Sequence, residues 1–177
     1  DPTSSFHGNT LDILIRNGAI DKIDKSLDAP KASLIQHRNL CVSPGWFDSS
    51  VSFGEPGYEE RETLKHGLSV AAASGFTQIA YNTNTNPLPT SKADISFLLR
   101  SATQTPTTLH PKGHITTQDN AQKLAELHDL SQEGAICFSN HKEPIEDPHL
   151  LLVALQYTRG FDAVSYTHLT LPTTYGV

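Results

Sequence analysis

Methionine is absent from these 177 residues, and cysteine occurs only twice. Cys41 and Cys137 stand far apart and form no pair motif of the kind that marks a disulfide framework or a redox centre. That usage predicts two buried thiols and a reducing, cytoplasmic setting. A dense basic run is lacking too: 13 Lys and Arg face 19 Asp and Glu, for a formal net charge of -6. Such a chain repels phosphate backbones and anionic headgroups, so no nucleic acid and no membrane is expected as partner. No apolar stretch approaches the roughly 20 residues that a spanning helix needs, and the first residues do not have a secretory-leader pattern. Neither a catalytic triad nor a Cys/His zinc cluster is visible, and GEPGYEE at 54–60 is too sparse to cradle phosphate. What is present is 37% apolar residues, enough for the core of one domain, or one domain with a small appendage. With Asp1 where an initiator methionine would stand, the chain reads as a piece of a longer protein.

Residues 11–43 read as short strands. Leu11, Ile13 and Ile15 alternate onto one face, Asn17-Gly18 is a hairpin turn, and AIDKI returns. ASLIQH at 32–37 and NLCVS at 39–43 read as two more strands. After Pro44-Gly45 the rhythm changes to alternating strand and helix. WFDSSVSF is a strand, followed by a helix from about Glu59 to Ser74 that stops at Gly75. FTQIAYN is the next strand. Ser91 caps a helix with Asp94 three residues on and Ile95, Leu98 and Leu99 along one face. TTLHPKG is a strand, and Asp119 with Gln122 forms a capping box before Ala121, Leu124, Leu127 and Leu130. AICFS is a strand. Asp147-Pro148 opens a last helix whose apolar face holds Leu151 and Leu155 and which Gly160 ends.

Four strand–helix repeats predict an α/β fold with parallel strands. They make a small open sheet or half of an eight-stranded barrel. The half-barrel alternative carries an open edge and an uncovered apolar face, and with them poor solubility of the isolated chain. From Val164 the string VSYTHLTLPTT breaks the rhythm and resembles a translated sequencing adapter of the transposase type. On that reading the natural chain is seen to about Ala163, and residues 164–177 are a non-native tail.

The stretch PGWFDSSVSFGEPGYEERET, with GLSVAAASGFTQIAYNTNTNP after it, resembles dihydroorotases and related cyclic amidases of the amidohydrolase superfamily. Pro44-Gly45-x-x-Asp48, Glu55-Pro56-Gly57, Gly75-Phe76-Thr77 and Asn84-Thr85-Asn86-Pro87 carry the resemblance, which runs from about Thr10 to Asp162. It implies a zinc-dependent (β/α)8 TIM barrel. Residues 1–43 would supply strands of a small β-sandwich and 44–163 about four βα units, the N-terminal half of the barrel.

The resemblance also implies metal positions, and here they are altered. The family's H-x-H pair on the first barrel strand is replaced by Ser50 and Ser52, two apart and so on one face. A serine hydroxyl is a poor zinc ligand. Gly54 stands where the family carries a carboxylate-clamping Arg, and Asn140 where a bridging acid or carboxylated Lys is expected. No cofactor is therefore expected to bind, although the parent family uses zinc. Asn84 matches a substrate-contacting Asn, with a turn role equally open. Asp48 matches an Asp beside the metal pair and is read first as a hydrogen-bond anchor. Glu55 and Glu59 read as a loop contact and a helix N-terminal charge. Among nine histidines only His141 falls at a strand end near the pocket, where a functional contact and a plain loop role both stay open. His110 and His114 are not aligned by any helix, since Pro111 and Gly113 intervene; His7, His37, His66, His128 and His149 read as surface residues.

The expected function is that of a dihydroorotase-like protein of pyrimidine biosynthesis, catalytically impaired or non-catalytic. It would act through its surface as a homo-oligomer or beside a pyrimidine-pathway enzyme. The alternative is an active cyclic-amide hydrolase that binds one metal with ligands from the missing C-terminal half, joined by His141 of this chain.

Overall fold

The computed structural model describes residues 2–119 and 121–161, with the backbone of 164–165. Two compact units divide the chain, Asp1–Pro44 and Gly45–Val177.

In the first unit β1 (Asp12–Arg16) and β2 (Ala19–Asp24) pair antiparallel, with Arg16 opposite Ala19 and Asp12 opposite Asp24. The hairpin turn is the expected Asn17-Gly18, at φ 51° and 77°. Both residues tolerate positive φ, which matches the strand twist. The predicted single face is broken by a register shift between Leu14 and Ile15, which leaves Ile15 exposed. The two further strands expected at 32–37 and 39–43 do not form. A strand is held by a paired neighbour and a buried face. Here Leu34 and Ile35 are 82% and 81% exposed, so those apolar residues meet no face within the unit. Cys41, expected to be buried, is exposed for the same reason, whereas Cys137 is buried.

The second unit runs β3 (Trp46–Val51), α1 (Leu64–Ala73), β4 (Phe76–Tyr81), α2 (Lys92–Ser101), β5 (Thr108–Gly113), α3 (Leu127–Glu133), β6 (Cys137–Phe138), α4 (Pro148–Arg159), β7 (Val164–Ser165). The strands form one sheet in the order β3-β4-β5-β6-β7, all pairs parallel. The first four make a curled half-barrel sheet, one of the two architectures that the alternation left open. The suspected tail enters at β7; residues 166–177 lie outside the described residues.

Local chemistry sets the helix starts. α1 begins at Leu64, later than the expected Glu59, because residues 54–61 are tied into turns by Tyr58 N–H to Gly54 O and Arg61 N–H to Tyr58 O. Thr63 then caps it, accepting from His66 N–H, and the Glu55 carboxylate accepts from Leu64 N–H at 2.7 Å. Glu55, not Glu59, is thus the acid at this helix end; Glu59 accepts from Gly57 N–H. α2 has the predicted capping box, with Ser91 and Asp94 bonded reciprocally. α3 departs from expectation. Asp119 does not cap it, and the helix starts at Leu127 after Glu126, which makes no side-chain cap bond. The intervening chain is diverted: Leu124 bridges Thr116, and Ala125 and Thr117 bond to Ile115 and Lys123 through their backbones. α4 starts as predicted, with Asp147 accepting from His149 N–H and Pro148 in the first turn, and it ends at Gly160. Its buried positions are Ala154 and Thr158, while the expected Leu155 is exposed.

Two clusters fill the core. Leu64 and Leu68 of α1 and Leu98 of α2 pack on Ile79, Tyr81 and Leu109. Ile95 of α2, Leu127 and Leu130 of α3 and Ala154 of α4 pack with Ile115 and Phe138. Burying a Leu, Ile or Phe contributes about 1.5–3 kcal/mol, so these contacts fix each helix against the sheet. The C-terminal strand ends are left to polar side chains.

Candidate functional site at the strand ends

Ser50 and Ser52 lie at the end of β3 and just beyond it, and both belong to one hydrogen-bonded chain. Asn82, directly after β4, donates through Nδ2 to Ser50 Oγ (3.2 Å) and Ser52 Oγ (2.9 Å). Ser52 Oγ in turn donates to Asn84 Oδ1 at 2.8 Å. Asn82 is buried and its own Oδ1 accepts from Lys112 Nζ at 2.8 Å. Lys112 comes from β5, is only 4% exposed, and also donates to the Ser49 carbonyl at 2.8 Å. Three neighbouring strands are thereby stitched at one end, with an ammonium at the join.

Parallel register makes this meeting possible. Tyr81 pairs with Pro111, which brings the following Asn82 alongside Lys112, and Lys112 pairs with Cys137 on β6. Burial lowers the Lys112 pKa, against the pull of Cys137 and Asp48. Burial raises that of the Cys137 thiol, with the Lys112 charge opposing.

The other candidates take separate places. Asp48 is half-buried and accepts from the Ser50 backbone N–H at 2.9 Å, which fixes the turn of the strand end. Asn140 is not bonded to the serines. It accepts from Ile115 N–H and donates to Thr116 Oγ1, both at 3.1 Å, so both halves of its amide hold the chain after β5. His141 is half-buried at φ 53°, and its backbone N–H donates to Ser139 Oγ. Burial lowers its pKa, and the charges of Lys142 and Lys112 add to the effect.

Gly54 is buried with φ 143°, and a Cβ there would lie 2.4 Å from the Tyr58 carbonyl oxygen. Its N–H donates to Tyr81 Oη, which itself donates to the Glu55 carbonyl at 2.7 Å. Burial raises the Tyr81 pKa. This backbone has no room for the clamping side chain that the resemblance places at this position.

Sequence reasoning missed Asn82 and Lys112. The signal was a lysine inside the strand TLHPKG and an asparagine closing FTQIAY. Only the strand register, however, shows that they meet.

The donor set can be tested against a zinc ion. Zinc takes thiolate, imidazole or carboxylate. The serine pair offers two neutral hydroxyls already engaged with amides, and a buried ammonium reaches the amide that joins them. Among the described residues no three His, Cys, Asp or Glu gather into a group that could hold a metal. These residues do not fit the ion.

The architecture has a solved counterpart. L-hydantoinase (dihydropyrimidinase) from Arthrobacter aurescens superposes with a TM-score of 0.63 over 88% of this chain and 36% of that one, at 18% identity. The fold is therefore the first part of a TIM barrel. The family model described as "Dihydro-orotase-like" matches residues 39–168, and the chain belongs to that family. It is 34% identical over 170 residues to the dihydroorotase of Geobacter sulfurreducens, covering 95% of this chain and 40% of that protein. It is also 34% identical over 168 residues to the dihydroorotase of Lactococcus lactis subsp. lactis, again covering 95% and 40%. The chain thus spans about 40% of the length of the curated relatives it matches. The family is one of metalloenzymes, generally of zinc.

Proposed function

We propose that this chain is part of a dihydroorotase homologue of pyrimidine biosynthesis that neither holds zinc at the first barrel strand nor turns over dihydroorotate. The relatives support the cyclic-amide lineage. The carrying observation is the Ser50–Asn82–Ser52–Asn84 chain with Lys112 at its root. Hydrolysis of a cyclic amide at neutral pH needs an activated water, which the family obtains from its metal. Hydroxyls and amides do not hold that metal, and the Lys112 ammonium is engaged with Ser49 and Asn82. On this reading the protein acts in the cytoplasm through its surface, as a homo-oligomer or beside another enzyme of the pathway, and residues 164–177 are not native to it. Residues 1–43 and 44–163 are its β-sandwich segment and half barrel.

A second reading draws on His141. Its lowered pKa keeps the imidazole in the neutral, ligating form at a strand end. On this reading one metal is bound with ligands from elsewhere in the full-length protein, and the enzyme is active.

Zinc content after exhaustive dialysis, with a dihydroorotate hydrolysis assay on the full-length protein, separates the two. The first reading expects substoichiometric zinc and negligible turnover. One tightly held zinc per chain with robust turnover overturns it.

A further inference from the structure

The buried lysine carries more than the loss of a metal. A charged amine taken from water is costly unless several acceptors surround it. Those Lys112 meets include the carbonyl of Ser49 on β3 and the amide oxygen of Asn82 after β4. Because Asn82 Oδ1 accepts from the ammonium, its Nδ2 is left to donate to Ser50 and Ser52, while Ser50 Oγ also lies 3.5 Å from Oδ1. Ser52 then has its proton free for Asn84. One positive charge thus sets which end of the Asn82 amide accepts and which end donates to the serines.

We propose that the Lys112 ammonium is the resident cation of this site, tying the ends of β3, β4 and β5 with a charge that belongs to the polypeptide and excluding a divalent cation from the serine pair. The proposal deepens the zinc-free reading above and rests on it for the assignment of the site. It makes a claim of its own, however: imidazoles at 50 and 52 do not suffice for zinc while Lys112 is charged. A metal ion held there would share the strand end with an ammonium one amide away, and like charges in a partly desolvated site repel strongly.

The test compares full-length variants by zinc affinity, read by competition with a chelating dye. Ser50→His with Ser52→His is expected to bind zinc weakly. Adding Lys112→Gln, neutral and still able to donate to Asn82, should tighten binding by about tenfold or more, the order expected on relieving one like charge. Adding Lys112→Arg, which keeps the charge, should leave binding weak. Equal affinity in the Lys112 and Gln backgrounds overturns the proposal, and so does tightening in the Arg background. If the Gln variant fails to fold while the Arg variant folds, the charge is needed for the fold, as the proposal requires. If the Arg variant also fails, Lys112→Met in the same background gives the neutral arm. The proposal is overturned if that variant folds and binds zinc no tighter than the double-His protein, or if no Lys112 variant folds, since shape and not charge is then what the site needs. Wild-type zinc content is measured separately. Zinc held by the wild type would sink the zinc-free reading, while the variant comparison would still judge Lys112.

Discussion

At position 54 any side chain would strike the Tyr58 carbonyl and sit at φ 143°, a region open almost only to glycine. Gly54→Ala is therefore expected to destabilise the protein by about 1–3 kcal/mol, read as a lowered urea midpoint. Introducing the family's arginine there should cost at least as much and restore no carboxylate binding. His114 makes a prediction in pH. It is buried, its Nδ1 lies 2.8 Å from the Thr116 carbonyl, and burial lowers its pKa from the ordinary 6.5 despite that bond and the charge of Glu143. The unfolded chain therefore takes up the proton first as pH falls. Stability from this group is full above about pH 6.5 and is lost as pH drops from there through the lower native pKa. Melting temperatures between pH 7.5 and 5, as a working range of roughly that width around the unperturbed histidine value, should show a slope that His114→Asn reduces. At this scale the sequence made Ser50, Ser52 and Asp48 legible, because spacing along one strand fixes which way side chains point. Lys112 and Asn82 were not, because their meeting depends on alignment between strands about thirty residues apart.

Elements were legible where their signals are local. Ser91 with Asp94, and Asp147 with Pro148, place two helix starts correctly because a cap acts within one turn. Ser91→Ala should lower stability by about 1 kcal/mol, seen as a shifted melting midpoint, and Ser91→Asp should recover most of it. Asp119 and Gln122 have the same spacing as a capping box but do not act as one, since the chain between Thr116 and Leu124 closes a bridge first. A tertiary bond outcompeted a local preference there. The same holds at ASLIQH and NLCVS, whose apolar pattern reads as strand and whose residues find no face to bury against within their unit.

For the whole molecule, alternation was enough to predict parallel strands, since each helix returns the chain to start the next strand in the same direction, while the sequential order is what the structure adds. The coil between Lys25 and Pro44 is exposed along most of its length, including Lys31 and Arg38. Brief trypsin treatment is expected to cut there first, with mass spectrometry finding β3 to β6 intact; early cuts within 64–113 would contradict the packing described for that unit.

The bonds of the strand-end chain also have a kinetic consequence. Ser50, Ser52, Asn82 and Lys112 join partners 30 or 32 positions apart, and Lys112 reaches Ser49 across 63. Closing such loops carries an entropic penalty that helix turns avoid, and chains rich in distant contacts fold slowly. Each of these bonds waits on at least one crossover, and the Lys112–Ser49 bond waits on two. They are expected on the late side of the folding barrier, so that Asn82→Ala should speed unfolding and leave the folding rate nearly untouched in stopped-flow measurements. The cluster therefore works as a latch, setting how long the folded sheet lasts once formed and not how soon it arrives.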